Sequence, residues 1–175
     1  MQPVIIFEGH DRSGKTTIAN ALANYYDTEV FMTNSKECFT SKGDYNNLAK
    51  FNLKISEFVK EVSFHSPIDK PIIIYRSFMS EMVYSKLFNR KTNAIANALT
   101  DDNFYKVNAT IVLCENVRER YNDVDISDEL INKSIELYRQ VKLNVRTDIL
   151  SIKTKEHDVD RYVREIVDFV NKKYS

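Results

Sequence analysis

Apolar residues follow two rhythms along this chain. Short, largely apolar runs at 3–8, 29–32, 72–75, 109–114 and 149–153 read as strands, 3–8 as a buried one and 72–75 with the continuity of a parallel strand covered on both faces. Between them apolar positions recur at helical spacing. Ile18, Ala21, Leu22 and Tyr25 share one face of a helix over 16–26, and Leu48, Phe51, Ile55, Phe58, Val59 and Val62 predict one long helix over 45–64. Pro67 and Pro71 bracket a turn, and Ser77 is placed to cap a helix whose apolar side is Phe78, Met82 and Leu87 or Phe88. Further helices are predicted over 93–104 and 127–145, and the last is amphipathic, with Val159, Val163, Ile166, Val167 and Val170 inside. The polar stretch 33–44 has little periodicity and reads as a loop beside a site or as a plain connector. Strands that alternate with helices predict an α/β fold: a parallel five-stranded sheet, helices on both faces, and ligands at the carboxyl ends of the strands.

Composition narrows the class. A chain of 175 residues with 43% apolar content suits one domain, 1–175, with a sizeable core. Lys plus Arg total 25 and Asp plus Glu total 25, so neither net charge nor a basic tract points to nucleic acid. No apolar run approaches membrane-spanning length and no leader-like segment precedes the first strand, so the expectation is a soluble, cytoplasmic protein. Cys38 and Cys114 lack C-x-x-C spacing, and His10, His65 and His157 form no metal pattern; they read as reduced thiols and incidental imidazoles.

The stretch Gly9-His10-Asp11-Arg12-Ser13-Gly14-Lys15-Thr16 adds chemistry. It meets G-x-x-x-x-G-K-[ST] at every fixed position, with a strand before it and a helix after it. Glycines let the backbone curl until successive N–H groups point inward, and the following helix aims its positive end at the same point. Lys15 supplies charge for the β- and γ-phosphates of a nucleotide, and Thr16 offers a hydroxyl to Mg²⁺. Arg76 and the segment after Cys114 also fall at strand ends, so they should converge with Gly9 on one crevice. A guanidinium there can hold phosphate oxygens in a bidentate way. The plainer alternatives are an ion pair at the sheet edge for Arg76 and a solvated charged turn for Arg118 and Arg120.

These residues resemble a known family, the thymidylate kinases among the P-loop nucleoside monophosphate kinases. Phe7 to Thr17 is similar to its F-E-G-x-D-R-x-G-K-[ST]-[ST] loop, Tyr75 to Tyr84 to its D-R-[YF]-x-x-S-x-x-A-[YF], and Glu119-Arg120-Tyr121 to the E-R-Y after its lid. The matches fall in the family's order over most of the chain. The resemblance implies a three-layer P-loop kinase sandwich with a short lid at about 115–125. It implies ATP binding by Gly9, Asp11, Arg12, Ser13, Gly14, Lys15, Thr16, Thr17, Arg118 and Arg120, with Mg²⁺ at Thr16. Lys15, Arg12 and Arg76 would surround the moving phosphoryl group. Asp11 would accept from the acceptor sugar, Arg76 would grip the acceptor phosphate, Phe51 would stack on the base, and Tyr84 and Tyr121 would lie near the nucleoside. The implied reaction is phosphorylation of a pyrimidine deoxynucleoside 5′-monophosphate, dTMP or a relative, and the family is commonly dimeric.

The departures matter as much. Tyr75 stands where the family has an acidic residue, leaving Glu8, Asp11 or Glu115 as possible substitutes. Ile55 stands where the family has an arginine that hydrogen-bonds the pyrimidine, which opens the identity of the base. Thr33-Asn34-Ser35-Lys36 replaces an Arg-Glu-Pro segment, with Lys36 as the nearest charge. Small size, an altered base pocket and an Asn/Lys/Ile/Tyr-rich composition suit a virus- or phage-encoded enzyme. A deoxynucleoside kinase acting on a 5′-hydroxyl and a non-catalytic nucleotide-binding module are the alternatives.

Overall fold

The computed structural model describes residues 1–32, 45–116, 126–154 and 158–175. Its elements run β1 (Val4–Glu8), α1 (Lys15–Tyr25), β2 (Val30–Met32), α2 (Asn46–His65), β3 (Ile72–Tyr75), α3 (Phe78–Leu87), α4 (Ala94–Lys106), β4 (Thr110–Glu115), α5 (Asp128–Lys142), β5 (Asp148–Lys153) and α6 (Val159–Tyr174). All strand pairings are parallel, in the order β2-β3-β1-β4-β5. β1 lies at the centre, and each of its five residues is buried, the apolar run Val4 to Phe7 and then Glu8. The edge strands β2 and β5 are much more exposed.

Side chains that alternate along each strand feed two cores. Ile5, Phe7, Ile73 and Val112 face α1 and α6, meeting Ile18, Leu22, Ile166 and Val170. Val4, Ile6, Ile74 and Ile111 face the other layer, meeting Val59, Phe78, Val83, Phe104 and Tyr138. The expected α/β architecture with helices on both faces is therefore present. None of the described helices is long and apolar enough to cross a membrane.

Three local expectations need correction. The inner face of α2 is Leu48, Ala49, Asn52, Ser56, Val59 and Ser63, while Phe58 points outward, 66% exposed. Polar partners explain this: Ser63 donates to the Gln2 carbonyl at 2.7 Å, and Ser56 accepts from Asn103 of α4 at 3.0 Å. Tyr25 of α1 is likewise exposed, and Ala19 and Ala23 take the inner positions instead. Finally, Ser77 occupies the N-cap position of α3 without a side-chain cap bond; the Glu8 carboxylate does that work from β1.

Candidate functional site

β1, β3 and β4 end side by side, so the turns that follow them share one edge of the sheet. After β1 the chain curls through residues 9–14 into α1. Gly9 sits at φ 141°, where a Cβ would lie 2.2 Å from the Cys114 carbonyl oxygen, so only glycine fits. Gly14 at φ 79° forms the N-cap of α1. Arg12 and Arg76 also adopt left-handed backbone, at φ 64° and 63°, which costs a non-glycine residue roughly 1–3 kcal/mol. Thr154, just past β5, donates to the Ser13 carbonyl at 2.7 Å and props the loop from below.

Inside this loop Lys15 is nearly buried and its Nζ donates to the His10 carbonyl at 2.8 Å. Burial and the neighbouring Arg76 push its pKa down to about 8. A phosphate anion would reverse that shift, so the site is electrostatically poised for one. His10 is also buried. Its Nε2 accepts from the Asn116 amide at 3.0 Å, which places the ring proton on Nδ1, 2.6 Å from the Asp11 carbonyl. This imidazole therefore ties the loop to the segment that follows β4, and burial lowers its pKa.

Arg76 donates to Asp11 Oδ1 at 2.5 Å, and Tyr84 donates its hydroxyl to Asp11 Oδ2 at 3.0 Å. Burial raises the Tyr84 phenol to about 12, so it stays a donor. The Arg76 guanidinium lies 5.2 Å from the Tyr84 ring centroid and 5.9 Å from that of Tyr75. Behind it Glu8 is fully buried. It accepts from the Ser77 amide at 2.8 Å and the Ser80 amide at 3.3 Å, from the Ser80 hydroxyl, and from Tyr138 at 3.5 Å. Desolvation raises its pKa against these donors. Glu115 pairs with Arg139 at 2.6 Å. Glu8, Asp11 and Glu115, the candidate substitutes for the missing acid, are thus all engaged with protein groups. The hydroxyl of Tyr75 instead lies 2.8 Å from Thr16 Oγ1.

Two cavities meet at these residues. One, of about 540 Å³, is lined by Asp11 to Thr17, Tyr75 and Ile126. The other, of about 410 Å³, is lined by Asp11, Tyr75, Arg76, Ser77, Ser80, Glu81 and Tyr84 on one side and Met32, Tyr45, Leu48 and Asn52 on the other. Asp11 and Tyr75 belong to both. Among the described residues no group of three His, Cys, Asp or Glu is arranged to hold a metal. The exposed Thr16 hydroxyl on an open cavity does suit Mg²⁺, which takes few protein ligands and is held largely by substrate phosphates and water.

A solved structure of the YorR protein from Bacillus subtilis, in complex with phosphorylated GDP, matches with a TM-score of 0.72, covering 98% of this chain and 97% of that one at 23% identity. This is the P-loop kinase fold. Thymidylate kinase from Candida albicans matches at TM-score 0.61 and 13% identity, covering 99% of this chain and 94% of that chain. Deoxyadenosine kinase from M. mycoides, with products dCMP and a flexible dCDP bound, matches at 0.55 and 18% identity, covering 97% and 98%. No protein-family model matches the chain, and no curated protein matches it in sequence.

Within this P-loop kinase fold Gly9, Asp11, Arg12, Ser13, Gly14, Lys15, Thr16 and Thr17 gather at the loop, and Arg76 and Tyr84 close on Asp11. Phe51 lies half-buried on α2 and does not line the second cavity, whose α2 wall is Leu48 and Asn52. Lys36, Cys38, Arg118, Glu119, Arg120, Tyr121 and His157 lie outside the described residues, as do positions 117–125 of the expected lid. Sequence reasoning passed over His10, Tyr45, Asn52, Glu81, Tyr138 and Thr154. Only His10 carried a local signal, its place inside the loop motif.

Proposed function

We propose that this protein, as a single domain with a short lid at about 115–125, catalyses Mg²⁺-dependent transfer of the γ-phosphate of ATP to a pyrimidine deoxynucleoside 5′-monophosphate. The observation that carries this is the meeting of two cavities at Asp11 and Tyr75, one built on phosphate-binding loop amides and the other guarded by the Arg76 guanidinium. The likeness to a thymidylate kinase and a deoxyadenosine kinase structure adds support for a nucleotide phosphotransferase.

In such a reaction the protein positions reactants and stabilises charge rather than forming bonds. Loop amides hold the donor β-phosphate, and Lys15 exchanges the His10 carbonyl for phosphate oxygens. Arg76 gives one side of its fork to Asp11, leaving other N–H donors for the acceptor phosphate. Arg12, exposed at the mouth of the donor cavity, completes the cationic ring. Thr16 would hold Mg²⁺, which would supply positive charge to offset the negative charge developing on the phosphates. Asp11 and Tyr84 receive the acceptor sugar. Leu48 and Asn52, rather than Phe51, would face the base from α2, and Arg118, Arg120 and Tyr121 would join from the lid.

A coupled ADP-release assay across ribo- and deoxynucleoside monophosphates and free nucleosides tests this. Turnover is expected with a pyrimidine deoxynucleoside monophosphate, and Lys15→Ala should lower it by about a hundredfold or more. Phosphorylation of nucleosides alone would assign a deoxynucleoside kinase instead. That reaction needs a general base near the loop, and Glu8 and Asp11 are already committed to protein donors.

A further inference from the structure

The second cavity has a polar inventory that points to one kind of base. Tyr75, Arg76 and Tyr84 are tied through Asp11 and Thr16 to the loop, and Ser77 sits next to Arg76. The Ser80 hydroxyl is given to Glu8. The Tyr45 hydroxyl accepts from Arg90 at 2.7 Å, and beyond Ser77 at the Arg76 end two polar side chains face the same space, Asn52 on α2 and Glu81 on α3, each at most 2% exposed. Neither is ordinary helix surface.

Asn52 lines the cavity, and no hydrogen bond joins its amide to another of the described residues. It offers a donor and an acceptor side by side, the pattern that pairs with a planar heterocycle edge. Glu81 is held from behind. The Thr92 hydroxyl donates to one carboxylate oxygen and the Asn97 amide to the other, at 2.5 Å. Each oxygen keeps a second lone pair, so Glu81, while ionised, can accept a further hydrogen bond and can offer none; burial raises its pKa, and the hydrogen bonds from Thr92 and Asn97 oppose that rise. Among the described residues, no lysine or arginine lines the cavity apart from Arg76.

Resting on the monophosphate-kinase reading, we infer that the acceptor base carries an exocyclic amino group beside a ring acceptor nitrogen, as cytosine and adenine do, read jointly by Asn52 and Glu81. On cytosine one amino hydrogen and the ring N3 pair with the Asn52 amide, while the second amino hydrogen donates to Glu81. Adenine presents the same donor–acceptor edge on a larger ring. Thymine and uracil would instead set the O4 lone pairs against a carboxylate. Asn52 can rotate to suit either edge; Glu81 cannot.

Calorimetric titration of the full chain with dCMP, dAMP, dTMP and dUMP tests this without turnover. At least one amino-bearing nucleotide is expected to bind tenfold or more tightly than both dTMP and dUMP, and the dCMP and dAMP arms separate ring size from the amino group. Glu81→Gln supplies a donor in place of a lone pair. Asn97 has an unpartnered Oδ1 with which to receive it, so the variant keeps its support. Its preference should fall at least tenfold toward dTMP and dUMP. Equal or tighter binding of dTMP by the wild-type protein overturns the inference while leaving the kinase reading intact. An unchanged preference in Glu81→Gln also overturns it. Binding of none of the four nucleotides removes both.

Discussion

One methyl group at Gly9 would collide with main chain, because its Cβ would stand 2.2 Å from the Cys114 carbonyl. Gly9→Ala should cost more than ~3 kcal/mol in urea denaturation, since both the left-handed backbone and the clash must be relieved. At Tyr75 the expected effect is gentler. Tyr75→Phe keeps the ring near Lys15 and Arg76 and removes only the hydroxyl that holds Thr16. Freed Thr16 should lower the Mg²⁺ concentration needed for half-maximal ATP binding by about two- to tenfold, the worth of one net hydrogen bond. Calorimetry at graded Mg²⁺ measures it; an unchanged requirement would show that the phenol does not restrain Thr16. His10 gives a pH effect. Its folded pKa lies below the ordinary 6.5, so its stabilisation is full above that pH and is lost as the pH falls through the folded value. The stability gap between wild type and His10→Asn should therefore shrink between about pH 7 and pH 5, read from urea midpoints.

At the scale of elements, α3 depends on a residue from another strand. Glu8 satisfies two amides at its N-terminus and a hydroxyl one turn on. Glu8→Ala should lower stability by ~3 kcal/mol and weaken acceptor binding, because Arg76 immediately precedes this helix and loses its backing; melting temperature and monophosphate affinity check the two effects. This contact also marks where sequence stops being informative. The strands β1, β3 and β4 were legible because residues buried on both faces must all be apolar, and the loop because glycine and lysine at fixed spacing have few other uses. The faces of the helices were not. On α2 the buried positions include Asn52, Ser56 and Ser63, whose partners lie on distant segments, so periodicity gave the face to Phe51 and Phe58 instead. Glu81 had the same problem: only the fold brings Thr92 and Asn97 behind it.

For the molecule as a whole, strand order decides the site. Placing β1 between β3 and β4 brings a phosphate-binding turn, a guanidinium and the segment after β4 to one edge, and it sets the two cavities wall to wall. A compound joining adenosine to a deoxynucleoside through a phosphate chain should therefore span both. It should raise the melting temperature more than either nucleotide alone at equal concentration, because the second half binds at the high effective concentration the first provides. No added stabilisation would mean that the cavities are not used together. The wall between them has a practical consequence. The chain contains no tryptophan and ten tyrosines, and three of these, Tyr45, Tyr75 and Tyr84, line the smaller cavity. A share of the protein's own ultraviolet emission therefore comes from the acceptor site, and with no tryptophan to mask it occupancy there can be followed by light without a label.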